Sequence, residues 1–168
     1  MATTSAFDDS QKTARRQALV IRTMGQDAGA SAAHVDKLAN SMARKTGVDD
    51  DAIIAGANMI RTFKNIRNEA GKGNDVFDRT TKAALDMSSV FDMDLSSASI
   101  MLGKALDNPS KGAAALSKNG AIAKDDVEKL KKMAESGVPI LEQQKFVLAA
   151  VEKQVKGTAE SNATATDL

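Results

Sequence analysis

Leu102-Gly103-Lys104-Ala105-Leu106-Asp107-Asn108-Pro109-Ser110-Lys111-Gly112-Ala113-Ala114-Ala115-Leu116-Ser117-Lys118-Asn119-Gly120 reads as a helix, a tight turn, a short second helix and a glycine stop. Ala98, Met101, Leu102, Ala105 and Leu106 recur at helical spacing and predict one buried stripe. Asp107-Asn108-Pro109 must end that helix. Proline disfavours a helical residue before it and lacks an N–H, while Asp and Asn bond back to turn backbone. Pro109 then suits the first position of the next helix, and Gly120 supplies the residue that closes it beyond Leu116. Leu102, Gly103, Leu106, Asn108, Pro109, Gly112, Leu116 and Gly120 are therefore the fold-defining residues. Their chemistry is packing and turning, and none is set up to react.

Working outward, the same punctuation divides the rest of the chain. Residues 1–30 form a polar N-terminal segment with a possible helix over Lys12–Gly25 and a linker. Ser31 is placed to cap a helix carrying Val35, Leu38 and Met42, which stops at Gly47. Asp49, Asp50 and Asp51 open the next, whose stripe of Ile53, Ala57, Ile60, Phe63 and Ile66 predicts a helix running to about Asn68. Gly71-Lys72-Gly73-Asn74 reads as a flexible linker. Asp75 opens a helix with Phe77, Thr81, Ala84, Leu85 and Ser88 inward, and Asp94 or Ser96 caps the helix that enters the opening motif. Asp125 and Asp126 are expected to cap a helix bearing Val127, Leu130 and Ala134. After Pro139 comes a last long helix with Leu141, Gln144, Leu148, Val151 and Val155 at near-heptad spacing, a possible partner-contact face. Residues 31–157 thus form one helical module, and residues 158–168 read as a disordered tail.

No segment alternates apolar and polar residues for long enough to predict a strand. The fold class is all-α: several short amphipathic helices separated by Gly and Pro breaks, in a compact or partly extended array without a sheet. A single unbroken helix of this length would reach roughly 250 Å. The breaks predict helices that fold back on each other instead.

Composition bounds the chemistry. The 168 residues are 42% hydrophobic, but there is no Trp or Tyr and only five Phe. The core should therefore be thin and built from Leu, Ile, Val and Met between close helices. Twenty-three basic against 22 acidic residues leave a net charge of +1, which argues against a dedicated nucleic-acid binder. The absence of cysteine excludes disulfides, thiolate metal sites and thiol chemistry, and fits a reducing cytoplasm. The N-terminus lacks a basic stretch followed by an apolar one, and the longest apolar runs are too short to span a bilayer.

Each candidate for chemistry has a plainer reading that is stronger. His34 is the only histidine, which rules out a multi-histidine zinc site; it reads as a solvated or capping residue. Asp49, Asp50 and Asp51 point about 100° apart on a helix, so capping is favoured over metal binding. Asp92 and Asp94 lack calcium-loop spacing. Gly71-Lys72-Gly73 lacks the pattern of a phosphate loop. Arg15, Arg16 and Arg22 read as a solvated face, and the scattered methionines as core filler. No catalytic, cofactor-binding or metal-binding residue is expected, and no cofactor.

Leu102-Gly103-Lys104-Ala105-Leu106, the Asn108-Pro109 turn, Lys111-Gly112, Ala115-Leu116 and Gly120 resemble a recurrent segment of phage and prophage tail tape measure proteins. The resemblance extends to Thr46-Gly47-Val48-Asp49-Asp50-Asp51-Ala52-Ile53, Thr62-Phe63-Lys64-Asn65-Ile66, Phe77-Asp78-Arg79 and Ala84-Leu85-Asp86-Met87. Downstream it takes in Gly137, Gln143-Gln144 and Lys153 to Glu160, so that it covers about Gly25 to Glu160. This chain departs from the pattern at Ala121-Ile122-Ala123 and Val155-Lys156-Gly157, where aromatic residues are usual. The resemblance implies a structural, non-enzymatic role in tail assembly and tail-length determination. It implies tail assembly chaperones, tail tube protein or tail tip components as partners, with self-association possible. It places the chain in the virion tail lumen after assembly in the host cytoplasm. A stand-alone small helical binding protein that regulates or interferes with tail assembly is the alternative.

Overall fold

The computed structural model describes residues 31–166, with side-chain surroundings through Asn162. The helices are α1 (Ala32–Thr46), α2 (Asp50–Arg61), α3 (Val76–Val90), α4 (Leu95–Asp107), α5 (Pro109–Lys118), α6 (Lys124–Glu135), α7 (Ile140–Val155) and α8 (Thr158–Thr166). Among the described residues there is no strand; a lone antiparallel bridge joins Asn68 and Asp75. The chain is all-α, as its punctuation predicts. The expected helix over Lys12–Gly25, and the 1–30 segment that holds it, lie outside the described residues.

The hub is α4, which packs on α2, α3, α5 and α7. Ala98, Leu102, Ala105 and Leu106 are fully buried on it, since the i, i+3, i+4 stripe faces neighbours on several sides. Asp94 caps its start, its carboxylate accepting from Ser97 N at 3.1 Å. Bonds from Ser97 hold the Asp94 carboxyl below its usual range. Ser31 and Asp49 cap α1 and α2 in the same way, accepting from His34 N and Asp51 N. At the far end of α5, Gly120 takes φ +81 and Ala121 N donates to Leu116 O at 2.9 Å. This is a Schellman closure, in which the left-handed residue turns the chain and satisfies a late carbonyl.

Several expected boundaries move. The second helix ends at Arg61, not near Asn68. Thr62 Oγ1 donates to Met59 O at 2.6 Å, and Thr62, Phe63 and Ile66 N–H groups bond three residues back, so the chain tightens into turns. Ile66 is still fully buried, from a turn rather than from a helical stripe. The 71–74 segment is a closed loop: Glu69 N donates to Asn74 O at 2.9 Å and Asn74 N to Gly71 O at 3.2 Å. Asp75 precedes α3 without a side-chain cap bond. Ala123 holds the cap position of α6, which leaves Asp125 and Asp126 inside its first turn, where their charge opposes the dipole's positive end.

The core is aliphatic, as composition requires, with Phe77 the only aromatic fully buried among the described residues. Arg61 is buried beside it at 1% exposure, its guanidinium 5.6 Å from the Phe77 ring centre and its Nη2 donating to Ser31 O. Burial pushes the Arg61 pKa down, with the charge of Asp36 acting the other way. No helix among the described residues is long and apolar enough to cross a membrane.

Candidate functional site

The residues singled out in the sequence meet at the corner between α4 and α5. Asn108 leaves the helix at φ −140° and ψ 84°, and Pro109 starts α5 at once. Asn108 O then accepts from Gly112 N at 2.8 Å. Gly112 lies so close to α4 that a Cβ there would stand 2.5 Å from Ala105 Cα and 2.6 Å from Lys104 O. Gly103 lies under the Phe63 ring, which a Cβ would strike. Leu102, Leu106 and Leu116 are fully buried around this corner, and Pro109 is buried with them.

A helix leaves its last carbonyls without partners, and α4 has two of them satisfied from far away in the chain. Gln144 Nε2 donates to Leu106 O at 3.0 Å and to Asn65 O at 2.6 Å. Asn65 completes the clamp: its Nδ2 donates to Asp107 O at 3.0 Å, and its N–H reaches Asp107 Oδ1 at 3.4 Å. One amide of α7 thus ties the end of α4 to the loop after α2. Gln144 itself is 2% exposed, so its bonds are shielded from water, where an unmade bond is costly.

The expected partner-contact face on α7 is a correction. Gln144, Leu148, Val151 and Val155 are buried in the chain's own core, and Leu141 is partly buried against it. The near-heptad stripe finds its partners in α3, α5 and α6. Periodicity shows that a face is apolar but not which helix covers it.

Two polar clusters escaped the sequence. Asp78 accepts from His34 Nε2 at 2.8 Å and from Asn68 Nδ2 at 2.9 Å, and Asp78 N donates to Asn68 Oδ1. His34 is therefore half of a cross-helix pair as well as part of a cap. The second cluster lies in a cleft of about 360 Å³ between α1, α3 and the α7–α8 junction. Here Arg79 Nη2 pairs with Glu152 Oε1 at 2.7 Å, and Asp86 accepts two backbone N–H groups from the start of α8. Burial, the largest influence, raises the Asp86 carboxyl above its usual range, helped by Glu160 and Glu152 and opposed by the two N–H bonds. No local signal marks these pairs, whose members stand 44 and 73 residues apart.

Asp49, Asp50 and Asp51 bring one oxygen each within 4.8 Å of the others. They converge because Asp49, at ψ 131°, is the cap residue and not part of the helix, so the 100° argument does not apply to it. Burial and the neighbouring aspartates raise the Asp50 carboxyl. Asp49 is spent on the Asp51 N–H, a cap bond that explains the position of the group.

Comparison with protein-family models, with curated proteins and with solved structures gives no match to this chain.

Proposed function

We propose that this chain is a non-enzymatic structural segment akin to phage tail tape measure proteins, acting in tail assembly and tail-length determination through helix-mediated contacts. The observation that carries the reading is the order and spacing of the resembling pieces over about Gly25 to Glu160. It gains support from three dimensions, because pieces distant in sequence serve one junction. Phe63 covers Gly103, Asn65 bonds Asp107, and Gln144 joins Asn65 to Leu106. Such a junction gives those residue types a common physical purpose.

In this reading the partners are tail assembly chaperones, tail tube protein or tail tip components. Contact falls to exposed surfaces such as Val90, Ile100 and Ile140, each about 40% exposed, since the α7 stripe is already occupied. The test uses the purified chain with a tail tube protein and a tail assembly chaperone of a long-tailed phage. Co-elution in size-exclusion chromatography with light scattering is the expected result. Independent migration from both proteins at tens of micromolar would overturn the reading.

One observation favours the alternative of a stand-alone regulator. The described helices bury their apolar stripes against each other, so the body needs no further chain to complete its core. Supplying the chain in excess during tail assembly separates the two: a regulator lowers tail yield, whereas a ruler segment sets tail length when its own coding sequence is shortened.

A further inference from the structure

Asn119-Gly120 is the only Asn-Gly pair in the 168 residues. Asparagine amides are among the thermolabile groups of proteins. A following glycine, having no Cβ, leaves the approach between its backbone nitrogen and the side-chain amide open. The reaction is intramolecular. Gly120 N gives up its proton to base and bonds to Asn119 Cγ, and the side-chain nitrogen leaves as ammonia. Water then opens the succinimide ring at either carbonyl. Breaking the new bond to Cγ gives an ordinary aspartyl residue. Breaking the bond to the main-chain carbonyl leaves an isoaspartyl link, in which the chain runs through the side chain.

Asn119 and Gly120 are both exposed, so base and water reach them, but the fold opposes the first step at three points. Ring closure needs Asn119 Cβ eclipsed with Gly120 N about the Cα–C bond. At ψ −2° it is the backbone nitrogen of Asn119 that eclipses it. Gly120 N is also engaged, donating to Ser117 O at 3.0 Å. Asn119 Nδ2 is held in place, 3.1 Å from Met101 Sδ and 3.4 Å from Ala115 O. These contacts belong to the closure that Gly120 makes at φ +81. Ala121 and Ile122, buried directly after it, pin the chain beyond.

We infer that Asn119-Gly120 is a spontaneous deamidation site kept silent by the C-terminal closure of α5, and that conversion there loosens the α5–α6 corner. Reaction passes through local opening of the helix end, so its rate follows the opened fraction. Either product sets a carboxylate at the negative end of the α5 dipole. The isoaspartyl product also adds one carbon to the main chain between residues 119 and 120, so the closure over Leu116 O no longer fits.

The full chain is incubated at mildly alkaline pH, folded and in denaturant, then digested with pepsin in acid, where ring closure is slow. Mass spectrometry of peptides spanning 116–124 reads the conversion of amide to acid. Conversion at Asn119 should be at least about tenfold slower in the folded chain than in denaturant. In denaturant Asn119 should convert fastest of all the asparagines. Ile122→Ala leaves the reacting atoms untouched and should raise the rate under folding conditions severalfold. The isoaspartyl form, isolated by chromatography, should unfold at a lower temperature than Asn119→Asp, which carries the charge without the extra carbon. Equal rates in folded and denatured chain, or faster conversion at another asparagine in denaturant, would overturn the inference. So would an unchanged rate in Ile122→Ala, or an isoaspartyl form as stable as Asn119→Asp.

Discussion

Gly112 and Gly103 both sit where a Cβ does not fit, yet what each would strike differs. At Gly112 the obstacle is backbone, Ala105 Cα and Lys104 O, so α4 and α5 must separate to make room. At Gly103 it is the ring of Phe63, a half-buried side chain that can swing away. Gly112→Ala should therefore cost roughly 1–3 kcal/mol, in the range of an overpacked core, and Gly103→Ala clearly less. Thermal unfolding followed by circular dichroism measures both, and equal losses would contradict the difference in obstacle. At this scale the sequence was informative wherever the physics is local. Pro109 at the start of a helix, Gly120 beyond its end, and Ser31, Asp49 and Asp94 at caps depend on neighbours within a few residues. Asp78, Asp86 and Asn65 depend on partners tens of residues away, and nothing beside them in the chain announces it.

At the scale of elements, spacing of apolar residues placed the buried stripes of α4 and α7, because burial leaves a periodic trace. It did not say what covers them, which is why the α7 stripe read as open to a partner. Stop positions were legible where glycine makes them and misread where turns do, as after Arg61. The 158–168 segment reads as a disordered tail for a related reason: its composition is that of a tail, yet α8 forms over Thr158–Thr166 and Ala159 N donates to Asp86, 73 residues earlier in the chain. Gln144 gives the element scale its own test. Gln144→Ala strips a donor from both Asn65 O and Leu106 O in a dry setting, and should lower stability by about 1–3 kcal/mol. Denaturant unfolding reads the loss, and an unchanged midpoint would show that water replaces the amide.

For the molecule as a whole, the described helices close on one another around α4. A packed chain of 168 residues has an expected radius of gyration of about 15 Å. A continuous helical rod of the same length would exceed four times that. Small-angle scattering of the purified chain should fall near the packed value, and a rod-like profile would refute the folded array.

Gln144 reaches carbonyls 79 and 38 residues earlier in the chain. On a ribosome, the corner of α4 and α5 is therefore made before the amide that locks it exists. Until translation passes residue 144, Asn65 can already serve Asp107 O, but Leu106 O has only solvent in place of its amide, and any factor that meets the nascent polypeptide in that interval finds the corner half latched.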